Sequence, residues 1–115
     1  MQEHTTDKSA RLKGQVALVT GGGRGIGRAI AQTLAAGGAA VAVLARSSEE
    51  LSETVRLIQQ EGGRAAAYPA DVTDSQAIES AIRAIEQSLS PIDLLVNNAG
   101  TPKPLAPFAE SDVTK

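Results

Sequence analysis

The chain has 115 residues, which is enough for one domain or part of one. With 42% hydrophobic and 21% charged residues it has the balance of a globular protein, and no apolar run approaches the roughly 20 residues of a membrane span. The net charge of −2 argues against a basic surface for nucleic acid, and a single tyrosine and a single phenylalanine are too few for stacking on bases. The lack of cysteine excludes disulfides and thiolate metal sites.

The first thirteen residues are polar. They include the single histidine, His4, so neither a histidine relay nor a multi-histidine metal site can form, and we expect no metal. They also carry Glu3 and Asp7 and lack the apolar centre of a secretory signal. We therefore expect residues 1–13 to be an N-terminal extension of a cytoplasmic protein, followed by one domain over residues 14–115.

From residue 15 onward, short apolar runs alternate with segments of helical periodicity. This alternation is typical of strand–helix units on a parallel sheet, an α/β fold. The predicted strands cover residues 15–20, 40–45, 64–70 and 92–97.

Three helices are predicted between these strands. The first has apolar residues at helical spacing from Ile26 to Leu34 and ends at Gly37. Capping boxes, in which Ser or Thr is followed three residues later by Glu or Gln, mark the starts of the other two. These boxes are Ser47 with Glu50 and Thr73 with Gln76, and Ser111 is the predicted N-cap of a fourth helix.

A glycine-rich stretch, TGGGRGIG at residues 20–27, joins the first strand to the first helix. Glycine lets the backbone approach a pyrophosphate closely, and the N–H groups and dipole at a helix start favour negative charge. The alternative is a flexible turn that is merely rich in glycine. We interpret the stretch as a phosphate-binding turn formed by Gly21, Gly22, Gly23, Arg24, Gly25, Ile26 and Gly27.

The spacing of this turn excludes two familiar phosphate-binding motifs. A P-loop needs Lys and then Ser or Thr where this chain has Arg28 and Ala29. The usual dinucleotide fingerprint also fails, because three residues separate Gly21 from Gly25 and one separates Gly25 from Gly27. The motif is therefore a variant.

Together with NNAG at residues 97–100, the TGGGRGIG stretch resembles the short-chain dehydrogenases/reductases. The resemblance runs from about Leu12 to the last residue and includes Asp71 and Val72 after the third strand. It implies the N-terminal half of a Rossmann-type doubly wound parallel sheet with strand order 3-2-1-4. It also implies an oxidoreductase that moves hydride between a nicotinamide cofactor and a carbonyl or alcohol.

The end of the second strand favours NADP over NAD. An NAD site usually has Asp or Glu there to accept from the ribose hydroxyls, whereas this chain has Arg46 and Ser47. We place both residues in the cofactor site, with Arg46 facing the 2′-phosphate and Arg24 approaching from the other side. The alternative is that Arg46 is a solvated residue near the start of the second helix.

By similarity to the family, Asp71 would accept from the adenine amino group beside the Val72 backbone. Asn98, Ala99 and Gly100 would line the adenosine ribose. Alternatively, Asp71 could serve the turn before the third helix, and Asn98 could connect strand ends through its amide. Asn97 is interpreted as structural.

No catalytic residue is assigned. In the family, hydride transfer relies on a Tyr and a Lys four positions apart, with a Ser and usually an Asn. The single tyrosine, Tyr68, has Val72 at that spacing and is predicted to pack in the sheet. We expect a cofactor-binding half that ends at the start of a fourth helix and is inactive alone. The complete protein would be a homo-oligomer acting on a small carbonyl or alcohol.

Two other functions are considered. The first is a non-catalytic module or truncated gene product that binds NADP(H) or a partner without turnover. The second is a methyltransferase using adenosylmethionine, which shares the sheet and a glycine turn. It would need an acid at the end of the second strand, where this chain has Ala45 and Arg46.

Overall fold

The computed structural model describes residues 11–98, and this part of the chain forms four strands that alternate with three helices. The predicted alternation is confirmed, while Ser111 lies outside the described residues. The strands are β1 (Val16–Thr20), β2 (Ala40–Ala45), β3 (Arg64–Pro69) and β4 (Leu94–Asn97). The helices are α1 (Gly25–Ala36), α2 (Ser48–Gln60) and α3 (Ser75–Ser88).

The strands form one parallel sheet in the order β3-β2-β1-β4, as predicted. The first two strands pair with Val16 opposite Ala40, and β1 pairs with β4 with Ala17 opposite Leu94. The order reverses beside β1, since the chain moves outward to β3 and then returns to the other side of β1 as β4. In open α/β sheets, ligands bind outside the carboxyl ends of the strands at such a reversal.

Helices cover both faces of the sheet. On one face Val19, Val41 and Val43 pack against α1 and α2, and on the other face Leu18 and Leu44 pack against α3. All five residues of β1 are buried, as expected for a central strand between two helical layers. Small and branched aliphatic side chains therefore form this core, and they hold the carboxyl ends of β1 and β2 in fixed positions.

Tyr68 lies on β3, is half-buried and packs on the cluster beneath α3. Its predicted role as a packing residue agrees with this position.

The predicted cap of α2 is confirmed, and that of α3 is wrong by one residue. The Ser47 hydroxyl oxygen accepts from the Glu50 N–H at 3.1 Å. At α3 the cap is Asp74, which accepts from the N–H groups of residues 76 and 77, because the Thr73 hydroxyl instead donates to Asp71 at 2.7 Å. Asp and Thr are both good N-caps, so the sequence did not decide between adjacent candidates.

The fourth strand begins at Leu94 rather than at the predicted Ile92. The Asp93 carboxylate accepts from the Val16 N–H at 2.8 Å, so a side chain takes the place of a backbone acceptor there, while the Asp93 N–H donates to the Val16 carbonyl oxygen at 2.8 Å. Ile92 donates its N–H to the Glu86 carboxylate at 3.2 Å and lies outside the ladder. The other predicted strand ends agree with the structure to within one residue.

Over residues 11–98, none of the helices combines the length and the apolar character required to cross a membrane.

Candidate functional site

A cleft of about 690 Å³ opens at the carboxyl ends of the strands. Small-molecule sites in proteins typically have volumes of roughly 300–1,000 Å³. The cleft lies where the strand order reverses, so its position is the one expected for a ligand site in this kind of sheet. Its lining residues are Gly21, Arg24, Gly25, Ala45, Arg46, Ser47, Glu50, Ala70, Asp71, Val72, Thr73 and Asn98.

Most of the residues singled out from the sequence meet in this cleft. Those that line it are Gly21, Arg24, Gly25, Arg46, Ser47, Asp71, Val72 and Asn98. Gly22, Gly23 and Gly27 are buried behind the lining, while Ile26 is 72% exposed beside it. Ala99 and Gly100 lie outside the described residues. Glu50 and Thr73 also line the cleft, and the sequence reasoning did not assign them to the site.

The glycine turn is fixed to the neighbouring strand by its first two amides. The N–H groups of Gly21 and Gly22 both lie within hydrogen-bonding distance of the Leu44 carbonyl oxygen, at 2.8 and 3.4 Å. These two groups are thus occupied by β2. Any anion at this turn has to be bound by later N–H groups.

The later N–H groups are those at the start of α1. The first three helical positions, Gly25, Ile26 and Gly27, have no intrahelical acceptor, and the N-cap residue Arg24 makes no side-chain capping bond. In contrast, side chains cap both α2 and α3. A helix start with unpaired N–H groups and a positive dipole end is suited to bind an anion.

Gly27 permits the close approach of α1 to the turn. A Cβ at this position would lie 2.7 Å from the Gly21 carbonyl carbon and 2.8 Å from Asn98 Nδ2, and its contact with the Gly21 carbonyl oxygen would be closer still. A side chain is therefore excluded by the Gly21 backbone on one side, and it would also meet the Asn98 amide on the other. Gly25 is required for a different reason, since its φ of +59° lies in the left-handed region.

Thr20 and the two asparagines join the ends of β1 and β4. The buried Thr20 hydroxyl donates to Asn97 Oδ1 at 3.1 Å and accepts from the Asn98 N–H at 2.9 Å. This geometry fits the structural interpretation of Asn97. Asn98 Nδ2 lies 3.5 Å from the Gly21 carbonyl oxygen, so Asn98 both connects β4 to the glycine turn and lines the cleft.

Two arginines reach the cleft from different elements. Arg24 Nη1 lies 3.8 Å from Glu50 Oε2, and Arg46 Nη1 lies 3.9 Å from Asp71 Oδ2. The two arginine side chains are 80% and 78% exposed. Exposed ion pairs of this length contribute little to stability, so both guanidinium groups can turn toward an anionic ligand at small cost.

Asp71 carries a carboxylate that is fixed by its own turn. Its Oδ1 accepts from the N–H and the hydroxyl of Thr73, at 2.9 and 2.7 Å. These two hydrogen bonds, the backbone one first, lower the pKa of Asp71 from its ordinary value, and the nearby Arg46 charge adds to the effect. Asp71 therefore stays ionised at neutral pH, with Oδ2 on the side of Arg46.

We expect Thr73→Val to raise the pKa of Asp71 toward its ordinary value, because one of two donors to the carboxylate is lost and the backbone donor remains. Because the folded-state pKa of Asp71 is lowered, the hydrogen bonds from Thr73 to its carboxylate stabilise the fold at pH values above the unfolded-state pKa. This stabilisation is lost as the pH falls through the folded-state pKa. A carbon-13 NMR titration of the carboxyl group measures the change. An unchanged pKa would show that the hydroxyl is not a donor, and Thr73→Ser serves as the control that keeps it.

Two further residues contact the turn and were missed by the sequence reasoning. Arg28 on α1 donates from Nε to Thr54 Oγ1 at 2.9 Å and from Nη2 to the Gly23 carbonyl oxygen at 2.5 Å. Thr54 on α2 is fully buried. A signal was present, because Thr54 is a polar residue on the same helix face as the buried Leu51 and Ile58.

Metal binding has no support in residues 11–98, which contain no group of three or more His, Cys, Asp or Glu side chains placed to hold an ion.

Comparison with curated proteins gives a consistent set of relatives. A model of the short chain dehydrogenase family matches residues 15–115. The chain is 44% identical over 93 residues to 2,3-dihydro-2,3-dihydroxybenzoate dehydrogenase of Bacillus subtilis, covering 81% of this chain and 36% of that protein. It is 49% identical over 86 residues to the short-chain dehydrogenase/reductase homolog YusS of the same organism, covering 74% of this chain and 79% of that protein.

Solved structures show the same similarity. L-sorbose reductase from Gluconobacter frateurii, solved with NADPH and L-sorbose, matches with a TM-score of 0.75 and 34% identity over 81% of this chain and 36% of that one. A metagenomic short-chain oxidoreductase in complex with NADP matches with a TM-score of 0.76 and 40% identity over 85% of this chain and 46% of that one. The chain spans about a third of the length of the first curated relatives that it matches.

Proposed function

This chain belongs to the short-chain dehydrogenase family, and on that premise we propose that its cleft binds NADP(H). In this proposal the chain is the cofactor-binding half of an oxidoreductase that transfers hydride between NADP(H) and a carbonyl or alcohol. One observation carries the proposal. The start of α1, which no side chain caps, lies next to the cleft. Two exposed arginines line the same cleft, and no carboxylate stands at the end of β2.

The diphosphate is assigned to the glycine turn. The groups that bind the diphosphate would be the N–H groups of residues 23–27, because the N–H groups of Gly21 and Gly22 are directed to the Leu44 carbonyl oxygen. The absence of a Cβ at Gly27 supports the assignment, since it lets α1 begin directly behind the turn. The dipole of α1 would then add to the attraction for the phosphates.

The 2′-phosphate is assigned to Arg46, Ser47 and Arg24. The two guanidinium groups line the same cleft from the end of β2 and from the glycine turn, and Ser47 lies beside them. Guanidinium groups form strong, often bidentate, hydrogen bonds with phosphate. Where an NAD site would present a carboxylate to the ribose, this site presents positive charge, and we therefore propose NADP rather than NAD.

The adenosine is assigned to the other side of the cleft. Asp71 Oδ1 is used by Thr73, which leaves Oδ2 as the acceptor for the adenine amino group, beside the Val72 backbone. Asn98 would line the ribose together with Ala99 and Gly100, and the exposed Ile26 would add an apolar contact next to the cleft.

The nicotinamide supplies the hydride-transfer chemistry when the cofactor is bound. A carbonyl reduction also needs a positioned acid for the developing alkoxide. The single tyrosine, Tyr68, is half-buried on β3 and is followed four residues later by Val72 instead of lysine. The 115 residues therefore contain a cofactor site without the family's Tyr and Lys pair.

We expect the purified 115-residue chain to bind NADPH without reducing simple ketones. The near-ultraviolet absorbance of NADPH measures consumption. Ketone reduction that persists through purification, and that is lost in a Gly27→Ala variant purified in the same way, would contradict this expectation.

A second candidate function is a free-standing nucleotide-binding module without turnover. One observation favours it, because the segment matched in YusS makes up 79% of that relative. Extra sequence after residue 115 with Tyr and Lys four positions apart would support the enzyme, whereas a stop codon at that point would support the module. Both candidates require the same cofactor site.

Calorimetric titration tests the shared part of the proposal. We expect the 115-residue chain to bind NADPH and NADP⁺, and to bind NADH at least about tenfold more weakly, since one charge-assisted hydrogen bond is worth about 1.5–3 kcal/mol. Folded chain with no affinity for any of the three dinucleotides would refute the proposed function.

A further inference from the structure

Thr54 is one of two buried polar residues in the described core, and its hydroxyl faces the glycine turn. Its Oγ1 lies 2.8 Å from the Gly22 carbonyl oxygen and 3.2 Å from that of Gly23. A hydroxyl has one hydrogen to donate, so the shorter contact, to Gly22, is the hydrogen bond. The same oxygen accepts from Arg28 Nε at 2.9 Å.

Arg28 provides the second half of this contact. Its Nη2 donates to the Gly23 carbonyl oxygen at 2.5 Å and lies 3.3 Å from the Glu50 carbonyl oxygen. No carboxylate among the described residues lies within 4.0 Å of its guanidinium nitrogens. The Arg28–Thr54 pair thus binds two successive carbonyl groups of the turn from the side of α2.

These two hydrogen bonds determine where the turn's N–H groups point. In a trans peptide the C=O and N–H groups point in opposite directions, and residues 11–98 contain no cis peptide bond. The Gly22 carbonyl shares a peptide plane with the Gly23 N–H, and the Gly23 carbonyl shares one with the Arg24 N–H. Both N–H groups therefore point away from the Arg28–Thr54 pair, and neither donates a hydrogen bond to another group within residues 11–98.

A peptide unit between glycines has little intrinsic preference for one orientation, because glycine reaches most of φ/ψ space. Without the pair, the Gly22 and Gly23 peptides could rotate and present carbonyl oxygens, which repel an anion, on the ligand side. The Arg28 charge adds attraction for an anion close to the turn. Neither Arg28 nor Thr54 lines the cleft, so neither needs to touch the ligand.

We propose that Arg28 and Thr54 are positioning residues that orient the Gly22 and Gly23 peptides for binding of the dinucleotide diphosphate. The inference rests on the proposed function and deepens it. It assigns part of the affinity for the diphosphate to a buried hydroxyl on α2 that has no direct contact with the cleft.

The test replaces the hydroxyl by a methyl group of the same shape. Thr54→Val is expected to lower the affinity for NADPH about tenfold, the size expected for a lost buried hydrogen bond. It should leave unchanged the affinity for adenosine 2′-monophosphate, which has the 2′-phosphate and adenine but no diphosphate. Thr54→Ser, which keeps the hydroxyl, should restore NADPH binding. Calorimetry with both ligands on the full chain gives the ratio of affinities.

Thr33→Val is the matched control. Thr33 lies on the exposed side of α1 and donates to the Ala29 carbonyl oxygen at 2.9 Å, so the same chemical change is made far from the turn. This variant should bind both ligands like the wild type. Should Thr54→Val fail to fold, Arg28→Met carries the test, since methionine keeps an unbranched side chain but has no donor for Thr54 or for the Gly23 carbonyl oxygen, and the same ratio should fall.

The outcomes separate this inference from the proposed function. Equal losses for NADPH and adenosine 2′-monophosphate, or no loss for either, would overturn the positioning role while the wild-type chain still binds NADPH. A wild-type chain that binds neither ligand would refute the proposed function and the inference with it.

Discussion

Gly27→Ala is expected to lower the free energy of unfolding by about 3 kcal/mol and the affinity for NADPH by at least about a hundredfold. The new Cβ would lie 2.7 Å from the Gly21 carbonyl carbon and 2.8 Å from Asn98 Nδ2. The Asn98 amide ends a side chain that can rotate away, but the Gly21 contact is with backbone that is fixed to β2 through the Gly21 N–H and cannot yield in this way. The start of α1 would have to move away from the turn, and its N–H groups would leave the position assigned to the diphosphate.

Denaturant unfolding measures the stability, and calorimetry measures the binding. The matched control is Gly62→Ala, at the opposite end of the sheet, where φ is +86° and no atom lies within 4 Å of an added Cβ. Left-handed strain there should cost about 1–2 kcal/mol without changing the affinity for NADPH. A Gly27→Ala variant that binds NADPH like the wild type would show that the close approach at this turn has no role in binding.

Arg46→Asp is expected to weaken NADPH binding roughly tenfold to a hundredfold and NADH binding far less. The 2′-phosphate distinguishes the two cofactors, and Arg46 is 78% exposed at the end of β2 with only a 3.9 Å contact to Asp71. The substitution removes the cation and places a second carboxylate near Asp71. Both changes should weaken binding of the 2′-phosphate. The fold should be little affected, because an exposed ion pair such as Arg46–Asp71 contributes little to stability.

The control for this substitution is Arg83→Asp, which changes the net charge by the same amount. Arg83 is 68% exposed on α3 and lies 4.0 Å from Glu79, so it occupies a similarly loose ion pair away from the cleft. Titration of each variant with NADPH and NADH gives the selectivity ratio. Equal losses for the two cofactors in Arg46→Asp would remove the assignment of the 2′-phosphate to Arg46.

Local patterns were sufficient to predict the strands and helices of residues 11–98. The apolar run of residues 40–45 has the length of a buried parallel strand, and Ser47 with Glu50 marks the start of α2. One failure, at the start of α3, occurs where adjacent polar residues compete. Thr73 and Asp74 are both capable caps, and the choice depends on whether Asp71 takes the Thr73 hydroxyl.

The position of the candidate site was also predictable, because the carboxyl ends of parallel strands meet at one edge. Arg46 and Asp71 follow different strands and lie beside one cleft for that reason. The sequence could not show that Leu44 occupies two of the turn's N–H groups, or that Thr54 contacts the turn from α2. The Leu44 contact depends on the register between β1 and β2, and the Thr54 contact depends on how α1 and α2 pack against each other; no local periodicity encodes either one.

A nitrogen-15 NMR titration of the labelled chain with NADPH tests most directly whether the turn after β1 binds the cofactor. We predict that the N–H resonances of residues 23–27 shift together and saturably, while those of Gly62 and Gly63 at the opposite end of the sheet stay in place. Saturable binding that leaves the turn resonances unmoved would contradict this prediction.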